Sequence, residues 1–135
     1  MLKKEERVLL YHFPEEQIRI ALDTFRALGI RMQILPDDAW REKVGWLLGI
    51  KGYKPAALSQ GDDSFDFPHR LLLLENIQGK RLTKVLDTLR DAGIPHITYK
   101  SAVTPYNTLW SLRYLCEHMA KEHAASVVDR EGDME

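Results

Sequence analysis

Apolar residues along this chain follow two rhythms, and the pair of rhythms occurs twice. "VLLY" at residues 8–11 and "LLLL" at residues 71–74 are continuous apolar runs of strand length, the pattern of central strands covered on both faces. Each leads into a helical stripe: Ile18, Ala21, Leu22, Phe25 and Leu28 in the first half, and Leu82, Val85, Leu86, Leu89 and Ala92 in the second. Gly29 and Gly93 end the stripes, where a left-handed residue closes a helix. Pro14 with Glu15 and Glu16 marks the first helix start, since proline suits the first turn and acids suit the positive end of the dipole.

Past the glycines, "IRMQIL" and "IPHITYKSAV" alternate apolar with polar positions, as half-buried edge strands do. Two more helices are expected. One covers residues 37–50 with Trp40, Val44 and Leu47 inward, and the other runs from residue 106 to about 123 with Leu109, Leu112, Cys116 and Met119 inward.

Displaced by 64 positions, residues 7–50 align with 71–114 without a gap, and ten of the 44 pairs are identical. A shared helical period explains the leucines but not the repeated polar trio of Asp23, Thr24 and Arg26 with Asp87, Thr88 and Arg90, so internal duplication is the preferred account. Asp23 with Arg26, and Asp87 with Arg90, are spaced for weak ion pairs. Trp46 and Trp110 also align, which suggests a shared packing role.

Strand, helix, strand, helix, twice over, is an α/β pattern. It predicts a four-stranded, mainly parallel sheet of order 2-1-3-4 with helices on both faces and the halves related by an approximate two-fold axis. A ferredoxin-like order of 4-1-3-2 is the rival. One domain over residues 1–124, built from repeats at 7–50 and 71–114, accounts for the patterned chain. The acidic loop at 58–68 is a flap or a tolerated excursion, and residues 125–135 are expected to be a disordered tail.

Composition narrows the classes of function. With 44% hydrophobic and 29% charged residues the chain is globular, and a formal net charge of −1 removes the electrostatic argument for nucleic acid or an acidic membrane. No stretch has the length and apolarity of a membrane span or a signal-peptide core, so a cytoplasmic protein is expected. The lone Cys116 shares an apolar stripe with Leu112 and Met119 and reads as a buried structural thiol. Trp40 together with Tyr53, Phe65 and Phe67 would form an interaction patch if all were exposed.

Candidate chemistry is sparse. In open α/β sheets a ligand sits beyond the carboxyl ends of the strands, where strand order reverses. The offset puts His12 and Asn76 at equivalent places there, so they are expected either to face one another across a crevice or to cap their own loops. Lys100, Thr104 and Asn107 gather a cation, a hydroxyl and an amide at the entrance to the last helix, suited to an anion. Thr104 followed by Pro105 is equally a plain helix start. His118 and Glu122 have the spacing of two metal ligands, with His123 beside them, but a solvated helix end explains them as well and no metal or other cofactor is assigned. No P-loop, dinucleotide fingerprint or nucleophile elbow occurs.

The segments "VLLYHF", "LGI", "AGIP", "GWLLGIKGY" and above all "KSAVTPYNTLWSL" resemble a bacterial family catalogued as a domain of unknown function (number 3783), over approximately residues 7–122. The resemblance implies a soluble bacterial protein and brings no activity, cofactor or partner. The expected function is a noncatalytic binding or regulatory module for a protein partner or a small ligand, with homo-oligomerisation through the edge strands left open. The alternative is a small enzyme or anion-binding protein using the crevice around His12, Asn76 and Lys100.

Overall fold

The computed structural model describes residues 5–56 and 65–133, with side chains to residue 125. The elements in chain order are β1 (Arg7–Tyr11), α1 (Glu15–Ala27), β2 (Arg31–Ile34), a 3-10 helix (Asp37–Arg41) and α2 (Val44–Leu47). There follow β3 (Leu71–Glu75), α3 (Lys80–Asp91), β4 (Tyr99–Ala102), a second 3-10 helix (Asn107–Leu109) and α4 (Leu112–Asp133). The acidic loop lies largely outside the described residues.

Both apolar runs form the centre of one sheet, in the order β2-β1-β3-β4, which excludes the ferredoxin-like arrangement. Val8 to Tyr11 and Leu71 to Leu74 are all buried, whichever face they point to. The outer pairings are parallel, but β1 and β3 run antiparallel, with Arg7 opposite Glu75 and Tyr11 opposite Leu71. The reason lies in the crossovers. α1 and α3 cover the same sheet face, since Ala21, Phe25, Val85 and Leu89 share one core with Val8, Leu10, Leu72 and Leu74. The two crossovers step outward in opposite directions from that shared face, and both can be right-handed only if β1 and β3 point opposite ways.

Contacts divide the chain into two compact units, Met1–Asp37 with Pro68–Thr104, and Asp38–Phe67 with Pro105–Glu135. Each unit draws on both halves of the chain. The first holds the sheet, α1 and α3. The matched glycines do what their positions require there, with φ of +73° at Gly29 and +103° at Gly93. The following amides bond back alike, Ile30 N–H to Phe25 O and Ile94 N–H to Leu89 O at 2.9 and 3.0 Å. The repeated threonines also match: Thr24 and Thr88 donate to the carbonyls four residues earlier. Of the two expected ion pairs, Asp87 with Arg90 forms at 3.2 Å.

In the second unit the expected long helices are broken. Lys43 and Ser111 form an isolated antiparallel bridge, in which Val44 N–H bonds Trp110 O at 2.9 Å and Leu112 N–H bonds Glu42 O at 2.8 Å. A continuous helix would need those amides and carbonyls within its own turns. A 3-10 helix therefore precedes the bridge in each half and an α-helix follows it. Thr104 is not the cap of α4; Ser111 Oγ accepts from Tyr114 N–H at 3.1 Å instead. α4 runs to Asp133, through residues expected in a disordered tail, because nothing between 113 and 131 is glycine or proline.

The equivalence between halves also changes register. β1 and β3 match at an offset of 64, but Arg31 and Tyr99, which begin β2 and β4, differ by 68, as do Lys43 and Ser111. Pro95, His96, Ile97 and Thr98 are the extra residues. Trp46 consequently corresponds to Tyr114, both exposed on their helices, and its alignment with Trp110 is accidental.

Candidate functional site

His12 and Asn76 are the only non-glycine residues with positive φ among the described residues, at 62° and 61°. Histidine and asparagine tolerate this conformation better than most, and each uses it to turn the chain out of a central strand towards a helix. The ring of His12 stacks on Tyr11 at 3.7 Å, and Asn76 Nδ2 donates to Glu5 O at 2.8 Å. The positions are equivalent, yet the side chains do not meet. Antiparallel pairing sets His12 beyond Tyr11 and Asn76 beyond Arg7's partner Glu75, six residues apart along the strand pair. That is about 20 Å at ~3.4 Å per residue. The single crevice expected between strands one and three is two separate strand ends.

Comparing those ends is informative, because their residues correspond. At the Asn76 end, Arg81 meets Glu6 with two bonds of 2.9 Å and also donates to Leu28 O at 2.6 Å. Donating to the Glu6 carboxylate raises the Arg81 pKa above its ordinary value. Arg7 with Glu75 at 3.1 Å and Arg31 with Glu5 at 3.5 Å complete a charge-balanced surface.

At the His12 end the equivalents of Arg81 and Glu6 are Gln17 and Arg70. Arg70 donates to Gln17 Oε1 at 3.0 Å, to Pro95 O at 3.2 Å and to His96 O at 2.6 Å, all neutral acceptors, while its guanidinium lies 5.4 Å from the ring centre of Phe13. Two of those acceptors belong to the four residues that the second half has and the first lacks. His12, Gln17, His69, Arg70, Thr98 and Tyr99, with two prolines, line a cleft of about 350 Å³, and among the described residues none of the lining is acidic. The rings of His69 and Tyr99 lie 5.0 Å apart.

The other residues singled out by sequence are scattered. Thr104 follows β4 at the Asn76 end. Lys100 Nζ donates to Ile97 O at 2.6 Å and faces a separate cleft of about 230 Å³ walled by Leu86, Leu89, Ile94 and Ile97; partial burial holds its pKa below the usual lysine range. Asn107 is buried in the second 3-10 helix. His118 Nε2 lies 3.1 Å from Glu122, and its ring packs edge-on to Trp110 at 5.3 Å. No group of three or more histidine, cysteine or carboxylate residues is arranged for a metal among the described residues. Trp40 and Phe65 are half-buried under Arg113, and Phe67 is buried, so the aromatic patch does not form.

His69 and Arg70 were not singled out from the sequence. Their signal is the pairing of residue 70 with residue 12, which follows only once β1 and β3 are known to be antiparallel.

Fold and cleft together define an α/β sheet protein with a cleft that carries one arginine and two histidines at one strand end. Over residues 70–125 the chain matches the model of a family described as a domain of unknown function (DUF3783). The match begins at Arg70 and includes "KSAVTPYNTLWSL", but not the first half, to which the sequence resemblance extended. No curated protein and no solved structure matches the chain.

Proposed function

We propose that the protein is a binding module for a small anion, a carboxylate or a phosphate, held in the cleft of His12, His69 and Arg70. The observation that carries this is the contrast between equivalent ends. One arginine is matched by a carboxylate, while the other is aimed by neutral acceptors beside two imidazoles. An arginine fixed by carbonyls keeps its charge and its planar fork for an incoming anion. The matched halves support an origin by duplication, after which the four extra residues set one end apart. The family resemblance and the single buried cysteine favour a bacterial cytoplasmic setting.

Thermal shift of the full chain against phosphate, sulfate and small mono- and dicarboxylates tests the proposal, since a ligand of the folded state raises the melting temperature. Arg70→Gln should weaken the binding of any hit by about tenfold or more. His12→Asn is the companion variant, because Asn76 holds the same backbone conformation; it should fold normally and bind less tightly. A panel without a hit, or a hit unchanged in both variants, would sink the proposal.

A further inference from the structure

A second cleft, in the other unit, shares no residue with the one above. After α2 the chain turns at Gly49 and Gly52, with φ of +75° and +99°, and returns Lys51, Tyr53 and Lys54 beside Arg41 and Lys43. With Leu109 across from them these residues enclose about 700 Å³, inside the ~300–1,000 Å³ span of small-molecule sites.

Four cations line this cleft, and among the described residues no acid does. None of the four pairs with a carboxylate among the described residues. In a chain of net charge −1, such a cluster is not a by-product of composition. Its walls are also fixed. The Tyr53 ring lies against Gly45 so closely that a Cβ there has no room, and both oxygens of Glu42 accept from Ala56 N–H at 3.0 and 3.1 Å. These bonds turn the Glu42 carboxylate onto the loop backbone and anchor the far end of the turn. Leu109, largely exposed, and Pro55 add an apolar strip.

We infer that this cleft binds a small polyanion with two or more phosphoryl groups, a nucleoside polyphosphate or an inorganic oligophosphate. Cations spread around so large a space cannot all reach one small ion, whereas a phosphate chain meets several. Lysine supplies point charges that suit phosphate oxygens in many orientations. A concave cleft on a chain of nearly balanced charge fits a small ligand better than the long basic stripe that a nucleic acid requires.

Isothermal titration of the full chain with ATP, tripolyphosphate and adenosine tests the inference. ATP and tripolyphosphate should bind, adenosine should not, and affinity should fall as salt rises. Equal affinity for the two would identify the phosphate chain as the recognised part, and tighter ATP binding would identify a nucleotide. Lys51 and Lys54 are exposed, so the double variant Lys51→Ala/Lys54→Ala should fold normally and lose about tenfold or more in affinity. Arg70→Gln should leave this binding unchanged, which separates it from the His12 cleft. The inference is overturned if neither phosphate compound binds at millimolar concentration, if the double variant binds like the parent, or if only an RNA oligomer binds.

Discussion

Cys116 shows what a single residue's pattern position can decide. It shares a stripe with Leu112, both are fully buried, and burial, with a smaller contribution from the charge of Glu117, pushes the thiol pKa from 9.0 up to about 12. In the unfolded chain the thiol ionises near its ordinary value, so between pH 9 and about 12 the unfolded state has lost a proton that the folded state keeps. Stability therefore falls with rising pH across that window. Lys100 opposes it just below its ordinary 10.5, because a lysine depressed by burial gains folded-state stability as it loses its proton. Denaturant melts from pH 8 to 11 should show a shallower loss in Cys116→Ala than in the parent, and the native thiol should resist a disulfide reagent at pH 8 until the chain unfolds. A rapid native reaction, or identical slopes, would contradict this. His12 was also legible, through its repeat position, but Arg70 was not. A residue at the start of a strand acquires its meaning from whichever strand lies opposite, and spacing along the chain does not carry that.

Elements were legible wherever one period ran unbroken. Both central strands, α1, α3 and their glycine stops sit where the pattern of Leu, Val and Phe puts them. The stretches 37–50 and 106–123 carry a helical period too, yet each is cut by the bridge between Lys43 and Ser111. Hydrophobic spacing reports which side of a segment is buried, and it is nearly blind to an amide that bonds to another segment. Ser111 is the place to test the true start of α4. Its hydroxyl accepts the Tyr114 N–H, so Ser111→Ala should destabilise the protein by about 1 kcal/mol in urea melts, whereas Ser111→Asp should retain most of the stability. A loss in Ser111→Asp as large as in Ser111→Ala would contradict a cap at this position. The four residues 95–98 illustrate the same blindness at the level of register, since an ungapped alignment with ten identities hid an insertion that supplies two of the carbonyls aiming Arg70.

The whole molecule depends on pairing between its halves. The family match, residues 70–125, takes in β3, α3, β4, the second 3-10 helix and α4 as far as residue 125. It leaves out β1, which pairs with all five residues of β3, and Lys43, which bridges Ser111. Leu71 to Leu74 are buried in the full chain, and without β1 this apolar strand becomes a sheet edge. A two-stranded remnant of that kind is marginal in water, and an exposed apolar edge invites association. Residues 70–125 expressed alone should therefore be unfolded, aggregated or paired with another copy, and should not be a cooperatively folded monomer. Because β1 meets β3 through hydrogen bonds and packing only, a fragment of residues 1–64 should rescue residues 65–135 when the two are refolded together, giving one species with the circular dichroism and melting behaviour of the intact chain. Analytical ultracentrifugation beside the thermal melts decides the matter. If residues 70–125 sediment as a monomer and melt cooperatively, the antiparallel pairing at the centre of the sheet is dispensable, and so is the first half as a structural partner of those residues.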